Sequence, residues 1–153
     1  MEFENRFSVD APLDTVWTFL TDVPQVAPCL PGAEITKVID PEHYEGAMKI
    51  KLGPVSMTMR GELEMNADEA AHSIQLTARG KDMRGIGSAA GTITASIVPA
   101  GNGTDVVISS KVDVTGRVAQ FGRGIMQDVA NRQTAQFAAC LQEKLNAGTT
   151  AGD

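Results

Sequence analysis

Residues 44–65 read YEGAMKIKLGPVSMTMRGELEM, and apolar or small residues occupy every second position on either side of Gly53-Pro54. A period of two is typical of a strand with one buried face, and a glycine–proline pair between two such runs marks a turn. The stretch therefore predicts two antiparallel strands joined by a short connection, with several methionines on their inner face.

The same alternation continues on both sides of this hairpin. In one earlier run we expect Ile35, Lys37 and Ile39 to share the inner face. Turn residues separate most of the later runs, so the connections are hairpin-length and the strands should pair antiparallel in chain order. The additional alternating runs are 3–9, 35–39, 74–78, 93–97 and 106–114.

Helical patterns frame the strands. Pro12 precedes an apolar face over 13–20, which predicts a short helix, and three prolines within 23–32 predict a broken helix or an ordered loop. After Gly116 the apolar period becomes helical to about Leu145, which predicts one long helix of about 28 residues, or about 42 Å.

This layout predicts an α+β domain of the helix-grip kind, in which a curved antiparallel sheet of about seven strands wraps around the long C-terminal helix. Residues 1–146 should form that domain. Residues 147–153 carry no large apolar side chain, so we expect a flexible tail or the start of a linker.

Composition excludes several classes of protein. A net charge of −6 over 153 residues opposes binding to nucleic acid, whose phosphates require a basic surface. No segment has the apolar length of a membrane span or the basic flank of a signal peptide, so we expect a soluble cytoplasmic protein. Cys29 and Cys140 follow no metal or disulfide spacing and are predicted to be reduced thiols.

The residues expected to face the helix favour a ligand cavity. Aromatic residues make up only 5% of the chain, whereas seven methionines supply adaptable apolar volume. The alternative is that these side chains form an ordinary solid core. The predicted ligand-binding residues are Met48, Ile50, Met57, Met59, Leu63, Leu76, Met83, Ile86, Ile93, Ile97, Ile108, Phe121, Ile125 and Val129.

Three permissive segments are candidates for an entrance to that cavity. We expect the 28–32 loop, a glycine-rich mobile loop at 85–91 and the 121–124 segment of the long helix to meet at one end of the domain. A plain flexible hairpin and close helix packing are the alternative explanations for these glycines. The predicted portal residues are Leu30, Gly85, Gly87, Gly122 and Gly124.

Catalytic and metal-binding patterns are weak. His43 and His72 each adjoin a turn and are predicted to be solvated surface residues, and no spacing of His and Cys supplies three or four metal ligands. There is no Gly-x-Ser-x-Gly motif and no expected inward pair of carboxylates, and Tyr44 is the only phenol. We therefore expect no catalytic residues and no metal site.

Several motifs together resemble the CoxG family of carbon monoxide dehydrogenase accessory proteins, over about residues 1–145. That family belongs to the polyketide cyclase, START and Bet v 1-like (SRPBCC) superfamily. The resemblance implies the helix-grip fold and an accessory protein that works with the molybdenum, iron–sulfur and flavin-containing carbon monoxide dehydrogenase at the cytoplasmic membrane face. The matching segments are 29–34 (CLPGAE), 44–46 (YEG), 49–55 (KIKLGPV), 85–87 (GIG), 103–104 (GT) and 116–122 (GRVAQFG).

Cavity and resemblance together suggest that the ligand is a respiratory quinone such as menaquinone, or another isoprenoid or lipid-like molecule, bound without a covalent cofactor. Such a carrier would connect the soluble enzyme to the membrane electron-transport chain. Members of the family often carry an extension after the last helix, which could anchor the protein to the membrane. Two alternatives stay open: a cyclase- or hydrolase-type enzyme, and an assembly subunit with a solid interior.

Overall fold

Over residues 1–152, which the computed structural model describes except for the side chains of Val118 and 147–152, the chain forms one antiparallel sheet of seven strands. The sheet order is β1-β7-β6-β5-β4-β3-β2, so each of β2 to β7 pairs with the next strand in the chain and β1 pairs with β7. The predicted strands and their pairing are confirmed. The bounds are β1 Glu2–Val9, β2 Ala33–Asp40, β3 His43–Leu52, β4 Val55–Asp68, β5 Ser73–Asp82, β6 Gly87–Ala100 and β7 Gly103–Gly116.

The helices also lie near their predicted places. Helix α1 spans Leu13–Leu20, and the proline-rich segment forms α2, Val23–Val26, followed by a 3-10 turn, Ala27–Cys29. The long helix α3 spans Gly122–Gly152.

The predicted start and end of the long helix were wrong. A separate 3-10 turn, Arg117–Phe121, precedes α3, and Gly122 has a φ of 78°, a left-handed conformation that interrupts the helix. At the other end α3 continues past Leu145 to Gly152. The backbone at 147–152 is therefore helical, and the division of the chain after residue 146 stays a prediction.

Strand β2 does not keep the expected alternation. Lys37 and Ile39 are exposed, and Ile39 retains 54% of its accessible surface. The register between β2 and β3 shifts twice, between Ile35 and Lys37 and again before Asp40. Each bulge adds an unpaired residue, which rotates the following side chains away from the expected face.

A row of glycines marks where the sheet bends. Gly46, Gly61 and Gly80 are register partners on β3, β4 and β5. A Cβ atom on Gly61 would lie 1.6 Å from the carbonyl oxygen of Arg79, so only glycine permits the backbones to approach this closely. The bend makes the inner face concave, and α3 lies on that side.

The main packed core lies where β1, β6, β7, α1 and the last turns of α3 meet. We call it the packed end, and its buried members include Val9, Val16, Ile97, Val106, Phe137, Leu141 and Leu145. Cys29 and Cys140 are joined there by a disulfide, with their Cα atoms 5.3 Å apart. The prediction of two reduced thiols was wrong, because a separation of 111 residues leaves no local spacing to signal the pair.

Candidate functional site

Helix α3 spans the concave side of the sheet and makes its principal contacts at the two flanks. On one side it lies against β1, and on the other against β3 and the 27–29 turn. Strands β4, β5 and β6 lie between these flanks in the sheet order. The middle of the inner face is therefore bridged by the helix at both sides, which leaves a region between them.

Apolar side chains of the inner face border this region without being fully covered. Val106 and Leu141 at the packed end are 1% and 0% exposed, as in a solid core. The central inner-face residues are instead half-buried, which requires accessible space beside them. We call this set the inner apolar face, and its members are Met48, Ile50, Leu63, Leu76, Ala78, Ile93, Ile108 and Val112.

One end of the inner apolar face is closed by a smaller cluster. Leu52, Met57 and Met59 are buried there. Phe121, Met126 and Val129 from the last part of the chain pack against them, together with Ile86. Most of the predicted ligand-binding residues thus lie on the inner apolar face or in this cluster.

Three of the predicted ligand-binding residues lie elsewhere. Met83 is 58% exposed in the turn between β5 and β6, and Ile125 is 36% exposed on α3. Ile97 is buried within the packed end. A role for the first two therefore requires that a ligand reach the surface, and Ile97 contributes to folding.

A side opening of about 240 Å³ lies between α3, the unpaired end of β3 and the turn before β2. Its basic residues are Lys49, Lys51 and Arg132. Gln133 Nε2 donates a hydrogen bond to Pro31 O at 3.3 Å, while Gln133 Oε1 is buried without a partner. The complete lining is Pro31, Gly32, Lys49, Lys51, Val129, Arg132, Gln133 and Gln136.

The predicted portal segments do not all meet. Arg117 N donates a hydrogen bond to Ile86 O at 2.7 Å, so the 83–86 turn and the start of the last helical segment are neighbours. Leu30 instead packs against the packed end. The proposed loop at 85–91 was also too long, since Gly87 begins β6 and continues as paired strand.

Asp82 is an inward carboxylate that sequence reasoning missed. It is the last residue of β5, on the same face as Leu76 and Ala78, and it is 5% exposed. Its register partner is Met59. The signal was present in the period-two alternation of β5, which reaches Asp82 when it is extended through Gly80.

Tyr44 and His43 do not form a catalytic pair, because adjacent strand residues point to opposite faces. Tyr44 is buried and its hydroxyl donates to Pro41 O, and burial raises the pKa of this phenol. His43 is exposed and hydrogen-bonded to Asp40, which raises the pKa of His43 and lowers the pKa of Asp40.

His72 departs from its predicted environment. It is half-buried rather than solvated, with its ring 5.7 Å from the Trp17 ring in an edge-to-face contact. Its φ of 50° places it in the left-handed region, as the tight turn between β4 and β5 requires. This contact makes His72 part of the support beneath α1.

A second depression of about 410 Å³ lies on the outer side of the sheet. Glu62, Glu64 and Arg79 are among its lining residues, so its walls are charged. Within the described residues, no group of three or more His, Cys, Asp or Glu side chains is arranged to hold a metal ion. Over the same part of the chain, no helix combines the length and apolar character needed to cross a bilayer.

The model of the carbon monoxide dehydrogenase family described as CoxG matches residues 6–146. No curated protein matches the chain in sequence.

Solved structures share the fold at low sequence identity. A conserved protein from Geobacillus kaustophilus is 18% identical, with a TM-score of 0.85 and 96% of each chain covered. The Zhui aromatase/cyclase from Streptomyces sp. R1128 is 15% identical, with a TM-score of 0.69 over 95% of this chain and 93% of that one. A START superfamily protein from Mycobacterium smegmatis is 16% identical, with a TM-score of 0.59 over 95% and 97%. These similarities confirm the predicted helix-grip fold.

Proposed function

Because the chain belongs to the CoxG family of carbon monoxide dehydrogenase accessory proteins, we propose that it is a non-catalytic accessory protein of aerobic carbon monoxide dehydrogenase that carries a hydrophobic ligand. The ligand we propose is a respiratory quinone such as menaquinone, held between the sheet and α3. Its role is to connect the soluble enzyme to the membrane electron-transport chain at the cytoplasmic face.

The observation that carries this proposal is the half-buried state of the inner apolar face. An apolar surface of this kind, lying beneath a helix that contacts mainly the flanks of the sheet, is costly to leave in contact with water. An apolar molecule that fills the region would remove that cost. A solid assembly subunit has no need of such a surface, and this favours a carrier.

A quinone tail suits the site energetically. Transferring about 20 carbons out of water at about 0.8 kcal/mol per methylene contributes on the order of 15 kcal/mol. Association costs about 4–15 kcal/mol in lost freedom, so the tail alone can supply useful affinity. Few polar contacts are then needed, in keeping with the apolar side chains of the site.

The enzymatic alternative has less support. Tyr44 and Met48 are four residues apart on β3, and Met48 is across the sheet from Met59, the partner of Asp82. Tyr44 and Asp82 therefore lie about four residues apart along the strands, or about 13 Å. That separation exceeds the reach of a shared proton transfer.

The first experiment asks whether the protein contains a ligand. Native mass spectrometry of the purified protein should show an added mass, and organic extraction should release a quinone with an isoprenoid tail. An apo mass together with an empty extract would contradict the carrier function once quinone added to the protein also fails to bind.

Binding can be followed through Trp17, the single tryptophan of the chain. Trp17 packs in the same cluster as Leu63 and Leu76 of the inner apolar face, so a bound naphthoquinone should quench its fluorescence saturably. With purified carbon monoxide dehydrogenase and quinone, adding the protein should accelerate carbon monoxide-dependent quinol formation. Quenching without this acceleration would retain the ligand and overturn the proposed partner.

A further inference from the structure

Two buried polar residues occur among those that the structure describes, Asp82 and Thr104, and their surroundings differ. Thr104 Oγ1 donates a hydrogen bond to Ala11 O at 2.8 Å, so its hydroxyl is satisfied. Asp82 Oδ1 is buried and has no hydrogen-bond partner. Buried polar atoms in native proteins are nearly always paired, so this oxygen requires an explanation.

The other carboxylate oxygen fixes the side chain in place. Asp82 Oδ2 accepts hydrogen bonds from Arg84 N at 2.8 Å and from Ile86 N at 3.4 Å. These bonds hold the turn between β5 and β6. Rotating the carboxylate to find a partner for Oδ1 would break them, so Oδ1 is held as an acceptor in a fixed direction.

The surroundings of Asp82 are those of the proposed ligand site. Its cross-strand partner is Met59, which is buried with Leu52 and Met57, and Ile86 packs on the same cluster. An acceptor among apolar side chains is costly unless a donor reaches it. Met57 and Met59 are unbranched and can repack to admit one.

We propose that Asp82 Oδ1 is the polar anchor of the ligand site and accepts a hydrogen bond from a hydroxyl group of the ligand. This inference rests on the proposed carrier function and narrows its ligand class to amphiphiles with a hydroxyl head. For a quinone carrier it selects the reduced form, since a quinol has two O–H donors and an oxidised quinone has only carbonyl acceptors.

Farnesol and farnesyl methyl ether test this directly, because they share a tail and differ in one donor. Displacement of the naphthoquinone that quenches Trp17 reports the affinity of each. The wild-type protein should bind the alcohol about tenfold more tightly or better, which is the effect of one hydrogen bond to a charged group. The ether is the more apolar molecule, so partitioning alone would favour the opposite order.

The variant D82N turns the test into a switch. Its amide oxygen can still accept from Arg84 N and Ile86 N, while its amide nitrogen replaces the unpaired acceptor with a donor. The preference for the alcohol should then fall to parity or reverse. D68N is the matched control, because Asp68 ends β4 and accepts from Ala71 N in an exposed turn.

Each outcome decides the matter. Equal affinities in the wild type would show that water or nothing occupies Oδ1, and would overturn the anchor while leaving the carrier function standing. A preference that survives in D82N would assign the donor to another acceptor, such as Gln133 Oε1, and would also overturn it. If neither probe displaces the naphthoquinone, the anchor is rejected; if the naphthoquinone also fails to bind, the carrier function is rejected as well. Should D82N fail to fold, the wild-type ratio decides alone.

Discussion

The two halves of α3 are held in different ways. Phe137, Leu141 and Leu145 in the second half are buried, and Cys140 is covalently tied to the 27–29 turn. In the first half Ile125 is 36% exposed and Val129 is only half-buried. A single helix thus has one end built into the core and one end resting on it.

This contrast separates stability from ligand binding. The packed end can fold the domain on its own contacts, whereas the inner apolar face beneath the other half is left available. Segments with few buried contacts open at lower free energy than the core that supports them. We therefore expect ligand entry to involve the first half of α3 and global unfolding to be governed by the second.

The largest effect on this comparison should come from Leu141→Ala. Leu141 is 0% exposed, so the substitution removes buried methyl groups and leaves a cavity, which typically costs about 2–5 kcal/mol. Ile125→Ala in the first half should cost less than about 1 kcal/mol. Urea unfolding measures both free energies. Equal losses would show that the two halves are packed alike and would remove the distinction.

The disulfide is the next test of the packed end. Replacing both Cys29 and Cys140 with alanine should lower the free energy of unfolding by about 2–4 kcal/mol, because the bond closes a loop across 111 residues. The urea midpoint of the wild type should fall in dithiothreitol, and that of the double variant should not change. An unchanged wild-type midpoint would mean that the bond adds nothing to stability.

The same cysteines bear on the proposed location. Disulfides are rare in the reducing cytosol, so the pair and a cytoplasmic position make different demands on the cell. Alkylating intact cells before lysis shows which state exists there. Thiols that react would place reduction in the cell and confine the disulfide to the isolated protein.

Period-two patterns predicted the sheet because each strand has one covered face. The alternation at Met57 and Met59 reports burial directly, and Pro12 and Gly116 mark where the period changes. The shifts in β2 could not be predicted, since a bulge depends on the register with β3 and leaves no composition signal. The break at Gly122 was also hidden, because glycine occurs both within helices and at their ends.

The candidate site was predictable in its apolar part and not in its polar part. Side chains such as Leu63 and Leu76 follow from strand alternation alone. Asp82 looked like the end of a strand, and only the three-dimensional structure shows that its oxygen is buried without a partner. Leu30 was assigned to a portal, whereas it packs against the core that the disulfide closes.

Ala78→Phe tests whether the space under α3 exists. Ala78 is half-buried on the inner apolar face, so a phenyl ring placed there should occupy the ligand space and abolish quenching of Trp17 by naphthoquinone. The free energy of unfolding should change by less than about 1 kcal/mol, whereas overpacking a solid core costs about 1–3 kcal/mol. Gln75→Phe on the exposed face of β5 is the control and should alter neither quantity. Unchanged binding in Ala78→Phe would exclude this site.

The smallest effect should come from Gly124→Ala in the first turn of α3. Nothing lies within 4 Å of a Cβ atom at Gly124, so alanine fits and its higher helix propensity should raise the free energy of unfolding by at most about 1 kcal/mol. Gly122 cannot be changed in the same way, because its φ of 78° would strain any other side chain. A stiffer first turn should slow dissociation of naphthoquinone, measured as recovery of Trp17 fluorescence after rapid dilution. Asn146→Ala, an exposed site in the second half, should leave that rate unchanged. If both variants slow release equally, or neither does, the first half of α3 does not control access to the inner apolar face.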